Sequence, residues 1–361
     1  MLRPAAVILL LVVLLALPLY LSASWLRAGE FVMIGAVGAI GLTLLIGQAG
    51  QLSLGHAFFL FVGAVSYTVL APDPGLRGEN AELVSLGWPP ALALVGAVVI
   101  CALLGLAFAP ISGRVRGIYL AVATLALVFL GFYLGRELVS LTGGTGSGRA
   151  PADLSLFGFC FCDERPEDLV VLGVPFGEAE RLWYAFLALT VVGYLLARGA
   201  VRGRPGRAWR AVRDNEAMAS VMGVPLARSR AGVFAISSGY AGLAGAMLVV
   251  WFGILKPDES EIGTYGINVS IAFLAMVIVG GLGSIPGAVW GAALVYGLEK
   301  VLELTVTSAS IFGIVGFTPV LLTQFVYGAA IILVVLFEPG GLAAIGRRLT
   351  AALASTTEKG R

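Results

Sequence analysis

The sequence predicts an all-α polytopic membrane protein of about ten transmembrane helices, some of them broken by Gly-rich segments. Three observations carry this. Hydrophobic residues make up 59% of the 361 residues and charged residues only 12%, against roughly 25% charged in an ordinary soluble domain. Mean hydropathy is +0.97, which leaves too little polar surface to coat a soluble globule of 37.4 kDa. The apolar runs are continuous and long, as a helix crossing a bilayer core requires about 20 such residues. A membrane β-barrel would show alternating strands of about 10 residues instead. A soluble enzyme, a secreted disulfide scaffold and a disordered regulator are excluded.

Taken in order, the spans fall at 5–23, 31–47, 56–71, 90–109, 117–138, 182–198, 231–253, 269–283, 286–304 and 319–337. In the first, an apolar run from Pro4 to about Leu21 follows Met1-Leu2-Arg3 and precedes Ser22-Ala23-Ser24, so it resembles a signal peptide. It is long for a signal core and more spans follow, which favours an uncleaved helix. The chain divides into one membrane domain, 1–345, and a tail, 346–361. The domain contains an acidic loop at 139–181 and a basic loop at 199–230.

Charge asymmetry orients the spans. The segment 198–230 carries eight arginines against only Asp214 and Glu216, and so faces the cytoplasm. Ten spans then place both termini inside, and 15 of the 23 basic residues fall on that side. The acidic loops, with Asp153, Glu178 and Glu180 in one and Asp258, Glu259 and Glu261 in the other, fall outside. Net charge is only +2, and no nucleic-acid partner is expected.

Most of the 49 glycines read as helix-packing residues, since small side chains let helices approach closely in lipid. Two clusters differ. Gly47-Gln48-Ala49-Gly50-Gln51-Leu52-Ser53-Leu54-Gly55-His56 separates two apolar runs, and Gly280-Gly281-Leu282-Gly283-Ser284-Ile285-Pro286-Gly287 separates two others. Both sit between an inward and an outward span, so spans 1–4 and 7–10 run in the same sense, as in a parallel internal repeat. Gly- or Pro-interrupted segments at corresponding places point to a transport site. Non-helical backbone at membrane depth must be buried in protein or line a watery cavity. Gln48, Gln51 and Ser53 either satisfy freed backbone groups there or touch a polar substrate. His56, the single histidine, is expected to hydrogen-bond within the break.

Chemistry-bearing groups are otherwise sparse. The run Thr142-Gly143-Gly144-Thr145-Gly146-Ser147-Gly148 lacks the Lys-Ser/Thr ending of a phosphate loop and reads as a flexible outer turn where a partner could dock. Arg136, Glu137, Glu299, Lys300 and Glu303 lie at span ends, within snorkelling reach of the interface. The lack of a mid-span carboxylate argues against an ion-driven machine. Cys160 and Cys162 form a lone C-x-C, either a local disulfide in an exported loop or an unpaired couple; the unpaired reading is preferred, and Cys101 reads as packing. A zinc site would need more ligands. No nucleophile–base pair or metal cluster is evident, so no catalytic residue, bound cofactor or enzymatic activity is expected.

The segment 206–223 is the most informative polar piece. On a helical wheel Ala208, Trp209, Ala211, Val212, Met218, Ala219 and Met222 share one half, and Arg207, Arg210, Arg213 and Asp214 the other, with Glu216 interrupting the apolar half. Gly223 and Pro225 stop the helix. Such a helix either lies on an anionic leaflet or seats in a groove of a cytoplasmic partner.

Several motifs in order resemble the permease subunits of ABC importers for branched-chain amino acids, from about residue 30 to 345. They are Gly41 to His56, Arg116-Gly117-Ile118-Tyr119 with Thr124, Thr142-Gly143-Gly144, Arg213-Asp214-Asn215-Glu216-Ala217, Ala241-Gly242 with Gly245, and Val279 to Gly287. The resemblance implies a multi-pass subunit of the bacterial inner membrane that moves leucine, isoleucine and valine inward by alternating access. It implies two cytoplasmic ATPase subunits holding ATP–Mg, a sibling permease and an extracytoplasmic binding protein as partners. Arg210, Arg213, Asp214, Glu216, Ala217 and Gly223 would contact the ATPase. Glu216-Ala217-Met218 stands where general ABC permeases have Glu-Ala-Ala, and Gly223 comes one residue later than in that pattern. Permeases for urea and short amides are similar, and the loop 149–181 has no counterpart in the usual pattern. A self-sufficient secondary transporter or channel is the alternative from another class.

Overall fold

The computed structural model describes residues 4–72, 83–115, 117–146, 148–156, 158–162, 170–171, 174–257, 265–306 and a few positions between 325 and 344. The predicted span 319–337 lies mostly outside these residues, and the tail 346–361 wholly so. The long helices run as α1 (Pro4–Ala16), α2 (Ala23–Leu42), α3 (His56–Leu70), α4 (Pro90–Arg114) and α5 (Ile118–Glu137). After the one-turn α6 (Val139–Thr142) come α7 (Glu178–Arg202), α8 (Arg204–Asp214), α9 (Glu216–Val221), α10 (Leu226–Phe252), α11 (Ile267–Gly280) and α12 (Ile285–Val306). Among the described residues, five segments are long and apolar enough to cross a membrane: Ala23–Gln48, Pro90–Arg114, Ile118–Glu137, Glu178–Arg202 and Leu226–Phe252. α3 and α11 are apolar but shorter, because a glycine break adjoins each.

Side-chain size, more than polarity, separates inside from outside. In α4 the buried positions beyond Pro90 are Ala93, Ala97, Cys101, Gly105, Ala109 and Ser112, while Leu92, Val95, Val99, Leu103 and Leu106 are exposed. The small stripe repeats at near-helical spacing and packs against α10. There a Cβ on Gly242 would meet Cys101 at 2.6 Å, and one on Gly105 would meet Ser238 at 2.4 Å. Large aliphatic side chains facing outward suit lipid, and small ones bring backbones into dispersion contact. α2 is buried almost throughout from Ala28 onward and contacts α7, α10, α11 and α12.

Two predicted boundaries shift for local reasons. The predicted span 5–23 ends early: α1 stops at Ala16, and Pro18 lies in a tight turn at Leu17–Leu19, where its missing N–H ends the helical ladder. Trp183 and Tyr184 of α7 donate to the carbonyls of Leu14 and Leu15, both at 2.9 Å, satisfying groups the helix end leaves open. The predicted span 31–47 begins instead at Ala23, which brings Glu30 inside a buried helix.

The bundle has two distinct ends. At one, the starts of α2 and α7 meet the end of α10: Arg27 pairs with Glu178 at 3.2 Å, and the Trp251 indole donates to the Arg27 carbonyl at 3.1 Å. Two small antiparallel hairpins lie in the loop before α7, Ser155–Leu156 with Phe159–Cys160 and Val170–Val171 with Val174–Pro175. Cys160 and Cys162 are disulfide-bonded, which corrects the unpaired reading; the hairpin end holds the two sulfurs together. The Gly-rich turn after α6 is not loose either. The Thr142 hydroxyl donates to the Gly135 carbonyl at 2.7 Å, and Arg149 pairs in a β-bridge with Leu255. The opposite end holds α8, α9 and both glycine breaks.

Candidate functional site: two helix breaks and the helices beneath them

The first break begins where the last turn of α2 widens. Residues Thr43–Gln48 form a π-helical segment, a feature frequent at functional sites. The chain is then irregular to Gly55. Gly50 has φ +69°, a conformation costly for other residues. A Cβ there would also strike the Arg213 side chain at 2.7 Å. Neighbouring helices supply the bonds the break lacks. Thr124 Oγ1 of α5 accepts from the Leu54 amide at 2.9 Å, and Ser270 Oγ of α11 accepts from the Ala57 amide at 3.0 Å. Ser53 Oγ accepts from the Gly55 amide at 3.3 Å. Ser53 and Gly55 therefore mend the break, as their residue types allowed. His56 is buried at the start of α3, its ring 5.0 Å from that of Phe273.

The second break runs from Gly281 to Ser284. Gly281 and Gly283 have φ +104° and +80°. Ser284 caps α12, its hydroxyl accepting from the Gly287 amide at 3.2 Å. Gly280 and Gly287 pack so closely that a Cβ on either would meet the other's carbonyl oxygen at 2.2 Å.

These two segments, 235 residues apart in sequence, touch. Gln48 Nε2 donates to the Gly283 carbonyl at 2.7 Å. A Cβ on Gly47 would lie 2.3 Å from the Gly283 nitrogen. The basic loop joins the same place: Arg213 Nη1 donates to the Gly47 carbonyl at 2.5 Å while its guanidinium pairs with Asp214 at 3.0 Å.

The segment 206–223 forms two helices rather than the continuous one expected. Asn215 sits extended between them, and its side-chain oxygen accepts from the Met218 amide at 3.1 Å, an N-cap. Trp209 and Val212 of α8 are buried as the wheel predicts. Met218 and Met222 are not. The turn at Asn215 rotates α9 so that Met218, Val221 and Met222 stand 55%, 83% and 78% exposed. Ala217 is also exposed, whereas Ala219 is buried. Gly223, with φ +78°, ends α9. Glu216, the interruption in the apolar half, pairs with Arg230 of α10. Arg210 bonds back to the Gly206 and Val201 carbonyls, bracing the α7–α8 corner. A polar cavity of about 240 Å³ lies between these helices and the first break, and Gln51 lines it.

Residues 30–335 match the family described as branched-chain amino acid transport system / permease component. The chain belongs to that family. Its relatives among such permeases include the high-affinity branched-chain amino acid transport system permease protein LivM of Salmonella typhimurium. The two are 29% identical over 284 residues, 76% of this chain and 63% of LivM. The high-affinity branched-chain amino acid transport system permease protein LivH of Escherichia coli is 27% identical over 85% of this chain and 90% of its own. BraD of Pseudomonas aeruginosa is 25% identical over the same shares. The chain thus spans less than two thirds of the length of the LivM relatives it matches. No solved structure matches it. With its apolar helices, this permease is a multi-pass membrane protein.

One functional candidate escaped sequence reasoning in this permease. Glu30 is 1% exposed, and its Oε1 has no hydrogen-bond partner among the described residues. It lies in the third turn of α2, near Arg27 and Trp251. A span boundary at 31 leaves it outside the helix; Ser22, a residue type favoured at helix starts, directly before Ala23 is the available signal. Thr124 was visible only as part of a motif, and Ser270 carried no signal at all.

Proposed function

We propose that the chain is a translocation subunit of an ATP-driven importer that moves leucine, isoleucine and valine inward by alternating access. Two cytoplasmic ATPase subunits hold ATP–Mg, a sibling permease completes the pathway, and an extracytoplasmic binding protein delivers cargo; this chain itself binds no cofactor and is not an enzyme. The cargo class rests on the names of the relatives. Residues 1–345 act as one permease domain of ten spans in the bacterial inner membrane, with 346–361 as a cytoplasmic tail.

The observation that carries the reading is the position of Arg213. It ties the helices a partner would press to the Gly47 carbonyl, and the adjoining Gln48 holds the second break. Motion of α8 and α9 therefore reaches both breaks through two hydrogen bonds. The exposed Met218, Val221 and Met222 supply an apolar knob suited to a groove on an ATPase. The meeting of the two breaks also supports a parallel internal repeat.

The same geometry supports the proposed sidedness. Eight arginines around α8 favour a cytoplasmic position. Gly341 packs against Gly281 at this end, which supports a cytoplasmic C-terminus. The Cys160–Cys162 disulfide at the other end favours an oxidising exterior. Glu30 supports a second reading, an ion-driven transporter, since buried carboxylates mark ion pathways.

The deciding experiment is uptake of labelled leucine by vesicles holding the chain with its ATPases, sibling permease and binding protein. ATP-dependent uptake that isoleucine blocks is expected, and replacing Asp214 and Glu216 should abolish it while the subunit stays inserted. Urea uptake in place of leucine would change the cargo. Uptake by the chain alone, driven by an ion gradient, would overturn the ATPase coupling.

A further inference from the structure

We infer that the polar cavity beneath α8 and α9 is a product-side binding site, where a free aliphatic amino acid restrains the coupling helices. This rests on the import reading above. The cavity of about 240 Å³ equals roughly eight waters' share of liquid volume, a space on the scale of one small amino acid.

Its lining divides by chemistry. Val115, Leu120 and Val212 form an aliphatic wall, and Gln51, Ser112, Arg213, Glu216 and Arg230 a polar one. Gln51 is 6% exposed, and both polar atoms of its side-chain amide lack a partner among the described residues. A buried amide is costly unless something satisfies it. It donates through nitrogen and accepts through oxygen, so it answers both a carboxylate and an ammonium. The Arg213 guanidinium adds positive charge for the carboxylate. The Glu216 carboxylate, already beside Arg230, adds negative charge for the ammonium. An aliphatic zwitterion meets both walls, whereas a neutral amide meets only part of the polar one.

Position supplies the consequence. The lining joins the first break through Gln51, the α4–α5 turn through Val115, α8 through Val212 and Arg213, and α9 through Glu216. A ligand bridging them holds α8 and α9 against the break. Alternating access requires those elements to move relative to one another, so product accumulating on this side slows further import.

The test uses the complete complex in vesicles loaded with ATP, with and without unlabelled leucine inside, and labelled leucine with the binding protein outside. Val115→Trp fills the cavity from the α4–α5 turn, and Leu120→Phe narrows it from α5. Equilibrium dialysis of labelled leucine against the complex in nanodiscs, without the binding protein, runs in parallel. Internal leucine is expected to slow initial uptake at least about threefold, and either variant to remove most of that slowing. Dialysis should show saturable binding that either variant weakens at least about tenfold. Equal slowing in the natural chain and both variants, or no saturable binding, overturns the site. If empty vesicles take up nothing, the import reading fails, and dialysis alone then decides the site.

Discussion

Gly47→Ala isolates the contact on which the proposed coupling depends. Gly47 is helical, so alanine is acceptable to its backbone, and the obstacle is purely steric. The added methyl would lie 2.3 Å from the Gly283 nitrogen and 2.5 Å from its Cα. Both neighbours are backbone, so the two breaks must separate by about an ångström to reach ordinary contact. That stretches the 2.7 Å Gln48–Gly283 hydrogen bond beyond useful length. Overpacking costs about 1–3 kcal/mol, and the lost hydrogen bond about 1 kcal/mol more. If the breaks touch in only one of the alternating states, roughly 2–4 kcal/mol shifts that equilibrium about thirty- to a thousandfold. Uptake in the reconstituted complex should therefore fall to a few per cent or less, with ATP hydrolysis no longer stimulated by cargo. Gly199→Ala, where a Cβ meets nothing within 4 Å, is the control and should transport normally. Natural uptake by Gly47→Ala would refute the packing of the two breaks as part of the working cycle.

Three further outcomes are expected. Asn215→Ala removes the α9 cap and should destabilise that helix by about 1 kcal/mol; cross-linking of α9 to an ATPase subunit should weaken while protein level holds, and unchanged cross-linking would count against the cap. Glu30→Met replaces a buried carboxylate, one oxygen of which is unsatisfied, with an apolar chain of similar length. Burying a carboxyl oxygen without a partner is costly, so the melting temperature in detergent should hold or rise. A clear drop would mean that Glu30 is held by stronger partners. Finally, a membrane-impermeant maleimide on intact cells should label Cys160 and Cys162 only after reduction, because the pair is bonded and proposed to lie outside. Labelling confined to inside-out vesicles would reverse the orientation.

Composition alone dictates the solvent of this protein, and with it the class. A 59% hydrophobic chain can only bury itself in lipid, and long apolar runs mark helices whatever they pack against. The two glycine breaks were equally legible, since Gly, Gln and Ser clustered between apolar runs cannot continue a membrane helix unaided. So was the basic segment, through its arginines and the stop at Gly223. Boundaries were less legible where apolarity continued past the helix. Leu17–Leu19 turns because of Pro18, and α2 starts eight residues before its predicted edge, where Arg27 pairs with Glu178 of α7 and its carbonyl accepts from Trp251 of α10. Only the tertiary structure decided what faces what. A helical wheel gives the faces of one helix, so it could not foresee that Asn215 would divide the segment and turn Met218 and Met222 outward. Nor could it bring Gly47 to Gly283 or lay Arg213 across them. Those contacts join residues far apart in the chain, and their geometry depends on how closely α2, α8, α11 and α12 can pack, which small side chains permit but local sequence does not direct.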